Sequence, residues 1–470
     1  MSERVSHRPN IVYVLADDLG FGDLSCYGAD KFETPNTDQL AREGIRFEDA
    51  HAPSAVCTPT RYSVLTGRYS WRTRLKEGVL WGYSEPLIEE DRLTVPAYLK
   101  QHGYATACIG KWHLGLGWDK SDGTVNYASP IKGGPDKLGF DYYYGISASL
   151  DMPPYCFIEN DRTVGIPSVE KAPKDFSQRG RSGLMVPGWK DEVVNQTLTE
   201  KAIHFIESHV ENKKDDPFFL YFPVTGPHTP WAPAAPFKDK SGIGPRGDLI
   251  LELDWTIGQL TETLKRLGIW ENTLFIFTSD NGPHPSPDEI TIHGHQPAGD
   301  LRGQKADIWE GGHRVPFIAA WPEVIKAGTV TTELICLTDL LGTCEEMMGD
   351  PLPEHTAEDT ISMLPVLKGD ASNRKLAVHH SITGMFSVRS GDWKLILGRG
   401  SGGFQKHQLD TTLIGIPTQG EYIPDHSPGQ LYNVRNDIEE KHNLYIQHPD
   451  IVQSLTRELI DIINSGDNAE

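Results

Sequence analysis

Cysteine is scarce in this chain: six in 470 residues (26, 57, 108, 156, 336 and 344), with no C-x-x-C pair. That excludes a disulfide scaffold, and a chain of this length can bury a core without one. Most of the six are expected to be small buried apolar residues. Basic charge is also in deficit, with Lys+Arg at 44 against Asp+Glu at 65 and a formal net charge of −21. Nucleic acid and anionic membrane surfaces are poor partners for such a chain. No stretch of about 18 uncharged apolar residues occurs, so no transmembrane helix is expected. The first ten residues lack an apolar leader core. The expected location is therefore cytoplasmic, or periplasmic or secreted if a leader has been removed. Repeats and low-complexity tracts are absent.

What the chain does have is loop: 46 glycines and 33 prolines. It also has short apolar runs that end in polar clusters. Ile11–Leu15 leads into Ala16-Asp17-Asp18-Leu19-Gly20, and Ala105–Ile109 into Gly110-Lys111-Trp112-His113. Phe218–Phe222 leads to Gly226-Pro227-His228-Thr229-Pro230, and Thr273–Thr278 to Ser279-Asp280-Asn281-Gly282. Runs without polar alternation predict strands buried on both faces. Helical patterns at 36–43, 95–102, 193–209 and 249–267 lie between them. The alternation predicts an α/β fold with a large, mainly parallel sheet flanked by helices, and ligands bind such sheets at the carboxyl ends of the strands.

From about residue 371 the texture changes. Ser387–Leu397 and Gln430–Val434 read as strands of a small antiparallel sheet. An amphipathic helix from about Asp450 to Asn464 carries Ile451, Leu455, Leu459 and Ile462 or Ile463 on one face. The expected division is a catalytic part, 1–370, and a smaller C-terminal α+β part, 371–470.

Two of the strand ends supply Asp17, Asp18, Asp280 and Asn281, hard oxygen donors that suit Ca²⁺ or Mg²⁺. Arg61 lies one turn beyond Cys57 if a helix begins there. Cys57-Thr58-Pro59-Thr60-Arg61, continuing to Thr66-Gly67, resembles the C-x-P-x-R signature of the type I, formylglycine-dependent sulfatases of the alkaline phosphatase superfamily. The likeness extends over essentially the whole chain, through Gly110-Lys-Trp-His-Leu-Gly115, the Pro-His-Thr-Pro turn and the C-terminal W-K-L-I and L-Y-N segments.

The resemblance implies an oxidised Cys57, made by a formylglycine-generating enzyme, whose hydrated aldehyde attacks sulfur and then expels sulfate. It implies Ca²⁺ rather than Mg²⁺, with Asp17, Asp18, Asp280, Asn281 and residue 57 as ligands. Arg61 would steady the diol, Lys111 and Lys305 would clamp the sulfate, His113 would deprotonate the diol and His228 would protonate the leaving alcohol. Ser149, preferred over Ser147 by spacing, would lie near the diol.

The expected substrate is a sulfated sugar, with galactose or N-acetylgalactosamine sulfate leading. Segments 147–189, 284–302 and 398–429 are long enough to wall a pocket. Arg179, Arg181, Arg302 and Lys406 are candidate holders of neighbouring anionic groups. Trp112, Trp118, Trp231 and Trp255 are candidate stacking faces, although most tryptophans are core residues. His293-Gly-His295 lacks the acidic companions of a second metal site and reads as a substrate or loop element. Two rivals stand beside the sulfatase: a phosphodiesterase or phosphonate monoester hydrolase, and a non-catalytic glycan-binding relative. A two-zinc phosphatase is disfavoured, because Lys111 and Lys305 fill the places of a second cation.

Overall fold

The computed structural model describes residues 8–120, 123–172, 180–213, 216–404 and 427–465. Among these, ten strands form the main sheet: β1 (Asn10–Asp17), β2 (Ile45–Phe47), β3 (Ala105–Lys111), β4 (Tyr142–Ile146), β5 (Ile158–Glu159), β6 (Arg162–Thr163), β7 (Phe218–Pro227), β8 (Thr273–Ser279), β9 (Phe317–Ala320) and β10 (Thr329–Thr331). Their order in space is β10-β2-β9-β8-β1-β7-β3-β4-β5-β6. The central run β8-β1-β7-β3-β4 is parallel throughout, and antiparallel pairs occur only toward the edges.

Residue alternation on β1 explains its uninterrupted apolar run. Ile11, Tyr13 and Leu15 enter one core with α2 (Cys57–Thr66) and α3 (Val95–Gln101). Val12, Val14 and Ala16 enter the opposite core with α1 (Pro35–Glu43), α4 (Val194–Lys213) and α5 (Pro245–Arg266). Both faces are dry, so each residue contributes burial, about 1.5–3 kcal/mol for a full-sized aliphatic or Phe side chain. An aspartate at Val12 or Phe277 would break either layer. The strands run further than their apolar segments: β1 ends on Asp17, β3 on Lys111 and β8 on Ser279. The polar clusters are therefore strand termini, held by ladder bonds.

A second sheet of four antiparallel strands follows: β11 (Leu376–His380), β12 (Phe386–Ser390), β13 (Trp393–Ile396) and β14 (Gln430–Asn433). The stretch 387–397 is a hairpin, with Ser390 opposite Trp393 and Gly391 turning at φ +56°. The strand at 376–380 carried no distinct sequence signal. The closing helix Pro449–Ser465 lays Leu455 and Leu459 on Val378, Val388, Leu395 and Leu431. Tyr69, Trp71 and Cys336 of the larger part join the same cluster. No helix among the described residues is long and apolar enough to cross a membrane.

Candidate active site

Helix α2 starts at Cys57, after an extended Val56, and all ten of its residues are buried. Its first residue thus faces the strand ends while Arg61, one turn later, reaches beneath them. Arg61 Nε and Nη2 both donate to Asp280 Oδ2, at 3.0 and 2.7 Å. Nη1 donates to Lys111 O at 3.1 Å, and Nη2 lies 3.5 Å from Asp17 Oδ1. One guanidinium therefore ties together the ends of β1, β3 and β8. Close backbone packing permits this: a Cβ on Gly110 would fall 1.9 Å from Pro223 O, and one on Gly282 1.8 Å from Gly311 O.

Asp17, at the end of β1, and Asp18, just beyond it, each have their own lysine. Lys111 Nζ donates to Asp17 Oδ2 at 2.6 Å, and Lys305 Nζ to Asp18 Oδ2 at 2.8 Å. Asp18 takes a left-handed conformation, φ +66°, and its N–H donates to Asp280 Oδ1 at 3.2 Å. Asn281 Nδ2 donates to Asp18 Oδ1 at 2.7 Å. Burial opposes ionisation of Asp17, yet Lys111, His228 and Arg61 hold its carboxyl below the ordinary range. Asp18 is lowered likewise, with Lys305 overcoming burial. Burial, joined by the like charge of Asp17, pushes Asp280 up to about 7.

Asp17, Asp18, Cys57 and His228 each place one donor atom within 4.8 Å of the others. Asp280 stands beside this quartet, with its oxygens taken by Arg61 and the Asp18 N–H. Asp17 Oδ1 and Asn281 Oδ1 are buried and accept no hydrogen bond. Orphaned oxygens beside crowded carboxylates fit a hard divalent cation.

His228 Nε2 lies 3.7 Å from Asp18 Oδ2, and its Nδ1 meets Thr229 O at 2.6 Å. Burial and then Lys305 depress its pKa. His113, at φ +59°, bonds Leu80 O through Nε2 at 2.7 Å and leaves Nδ1 buried without a partner. Burial, Lys111 and Arg61 keep it neutral. Ser147 and Ser149 both have buried hydroxyls without a hydrogen-bond partner, and Ser147 O accepts the His113 N–H at 3.0 Å. Burial raises the Cys57 thiol to about 11, against Lys111 and Lys305. As a cysteine, residue 57 is thus a protonated thiol and a poor nucleophile at neutral pH.

Other expectations fall differently. Arg302 is buried, stacked 3.8 Å over Trp309 and donating to Glu440 O, so it packs the interior and is not a free anion holder. Arg181 is paired with Asp151. Arg179 and Lys406 lie outside the described residues, as does most of 398–429. His295 turns inward to Asp23 Oδ1 at 2.8 Å, within a buried set containing Arg246 and Glu289, which makes it structural. His293 instead lines a cavity of about 650 Å³ with Trp231, Lys238 and Pro230 beside His228. Trp112 and Trp118 are core residues, while Trp231 and Trp255 are part-buried. Sequence reasoning passed over His284, close enough to Asp18 to lower its pKa, and the exposed Trp81. A histidine two residues beyond Gly282 repeats the strand-end pattern and was the available signal for the first.

The model of the Sulfatase family matches residues 9–349. The chain belongs to the sulfatase family. It is 37% identical over 500 residues to the N-acetylgalactosamine-6-O-sulfatase of Bacteroides thetaiotaomicron, covering 98% of this chain and 94% of that one. Human arylsulfatase A is 34% identical over 466 residues, covering 94% and 84%. A solved sulfatase structure from the glycosaminoglycan-metabolising locus of B. thetaiotaomicron superposes with a TM-score of 0.85 at 34% identity, over 97% of this chain and 99% of that one. The phosphonate monoester hydrolase of Agrobacterium radiobacter, at 17% identity and a TM-score of 0.63, shares the fold alone. This sulfatase is accordingly a sulfuric ester hydrolase.

Proposed function

We propose that this sulfatase removes the 6-O-sulfate of N-acetylgalactosamine or galactose in a glycan. The observation that carries this is the full-length likeness to an N-acetylgalactosamine-6-O-sulfatase, together with a site holding Cys57, two lysines and His228 at the carboxyl ends of the central strands. On this reading residues 1–370 form the catalytic part and 371–470 the smaller C-terminal part.

Asp17, Asp18, Asp280 and Asn281 would hold a divalent cation, Ca²⁺ by preference, with residue 57 completing the set. Such an ion supplies Lewis-acid polarisation and neutralises charge at the reacting oxygens. Residue 57, oxidised to formylglycine by a formylglycine-generating enzyme, supplies an oxygen nucleophile that the buried thiol does not. Lys111 and Lys305, held beside Asp17 and Asp18, would grip the sulfate oxygens. Arg61 fixes the relative positions of β1, β3 and β8 beneath them. His113, neutral and with Nδ1 free, is suited to take a proton from the nucleophile. His228 is suited to give one to the departing sugar oxygen, because a bound sulfate ester adds negative charge that opposes the depression from burial and Lys305. Ser149 is kept as a contact beside residue 57.

The test is sulfate release by the chain co-expressed with a formylglycine-generating enzyme. The panel comprises N-acetylgalactosamine 6-sulfate, galactose 6-sulfate, N-acetylgalactosamine 4-sulfate, N-acetylglucosamine 6-sulfate and a phosphate diester. Preference for the first two supports the reading. Faster turnover of the diester would favour the phosphodiesterase alternative, which shares the fold.

A further inference from the structure

The wall beside His113 is built from two segments that both bond it. Its N–H donates to Ser147 O at 3.0 Å, and its Nε2 meets Leu80 O at 2.7 Å. The two segments also touch each other, since a Cβ on Gly82 would lie 1.9 Å from Pro153 O and 3.2 Å from Ser147 Oγ. Trp81, between Leu80 and Gly82, is therefore fixed on this wall, and it is 52% exposed. The Arg181 guanidinium carbon lies 4.9 Å from the Trp81 ring centroid, and Nη1 of the same arginine pairs with Asp151 Oδ2. Asp151 is buried, and its second oxygen, Oδ1, has no hydrogen-bond partner. Ser147 Oγ and Ser149 Oγ, on the same loop, are orphaned too.

A buried carboxylate oxygen without a donor is a vacancy for one. An exposed indole beside a paired carboxylate and guanidinium offers an apolar face edged by polar groups, the pattern that fits a sugar ring. We infer that Asp151 reads the sugar: Oδ1 accepts a hydroxyl or amide N–H from the ring that carries the sulfate, Arg181 holds the carboxylate in place, and Trp81 packs the C–H face of the ring. The inference rests on the carbohydrate reading above and narrows it. The wall recognises a neutral, donor-rich sugar and disfavours a uronate, whose carboxylate would meet Asp151 as a like charge. Because Arg181 is already paired, it serves as a positioning residue and does not hold a neighbouring sulfate.

The test compares kcat/KM for N-acetylgalactosamine 6-sulfate with that for 4-methylumbelliferyl sulfate, which has the ester but no sugar. Wild type, Asp151→Asn, Arg181→Lys and Trp81→Ala are measured, each with conversion of residue 57 verified. In Asp151→Asn the sugar-to-aryl ratio is expected to fall about ten-fold, the equivalent of one hydrogen bond to an ionised acceptor, and mainly through KM. Arg181→Lys and Trp81→Ala should lower the ratio by about three-fold each. A 2-sulfated uronate should not be turned over by wild type. A ratio that stays within about two-fold in Asp151→Asn, or a parallel loss on both substrates with a lowered Tm, overturns the inference. If wild type cleaves the aryl sulfate and no sugar sulfate at all, the carbohydrate reading itself has failed.

Discussion

Two of the buried polar assemblies among the described residues differ in where they lie. One is the strand-end site, where Asp17 Oδ1, Asn281 Oδ1 and His113 Nδ1 are all without hydrogen-bond partners. The other joins the two sheets. There Lys394 Nζ lies 3.0 Å from Glu310 Oε1 and 3.0 Å from Glu440 Oε1 as ion pairs, and 3.1 Å from His313 Nε2. His313 Nδ1 meets His51 Nδ1 at 3.0 Å, and His51 Nε2 meets Asp49 at 2.8 Å. Asp49 in turn takes Arg389 at 3.1 Å and Arg314 at 3.4 Å. Both assemblies contain matched charges. Each also keeps buried atoms without a hydrogen-bond partner, Glu310 Oε1, Glu440 Oε1 and His379 Nε2 in the joint, but the joint lies between the two sheets whereas the site lies at the carboxyl ends of the central strands. A buried charge network between two sheets holds parts of a fold together; one at the carboxyl ends of parallel strands is placed for a ligand.

The contrast can be broken or sharpened by substitution. The largest effect belongs to the joint. Lys394→Ala strands two buried carboxylates and should cost about 3–5 kcal/mol in urea unfolding, while Lys394→Met should cost less if Glu310 and Glu440 are replaced with it. Next, Lys111→Ala should lower kcat/KM by about 10²–10³-fold, the scale of losing one preorganised charge contact at the reacting group. Third, calcium should raise stability by about 2.7 kcal/mol at a hundred-fold excess over its Kd. That gain should vanish in Asp18→Asn and persist in Lys394→Met; a gain that survives in Asp18→Asn would place the ion elsewhere.

Taken one ring at a time, the smallest effect is in pH. Burial, followed by the neighbouring positive groups, holds His313 and His379 well below the ordinary histidine value. The unfolded chain therefore binds more protons as pH drops below about 6.5, so stability is full above that value and is lost as pH falls. The slope should reach about 1.4 kcal/mol per pH unit for each ring, and His379→Asn should lessen it when urea midpoints are compared between pH 5 and 8.

Much of the site was legible because chemistry interrupts a pattern. Asp17, Lys111, His228 and Asp280 each follow an apolar run, and parallel-sheet topology sends such ends to the same end of the sheet. Cys57 and Arg61 were legible from C-x-P-x-R, and α2 begins at Cys57. What stayed hidden were partners chosen by folding. Arg61 and Asp280 are 219 residues apart, and Lys305 and Asp18 are 287 apart. Arg302 reads as a surface cation until Trp309 and Glu440 O are seen against it. Trp81 and Asp151 carry no motif; only the exposure of one and the unfilled oxygen of the other mark them.

The central claim is that activity resides in an oxidised residue 57 seated among Asp17, Asp18, Lys111 and Lys305. The direct measurement follows sulfate release from N-acetylgalactosamine 6-sulfate across preparations whose conversion of residue 57 is quantified by peptide mass spectrometry. The account predicts a rate proportional to the converted fraction, with Cys57→Ala at background. Equal rates from converted and unconverted protein would contradict it.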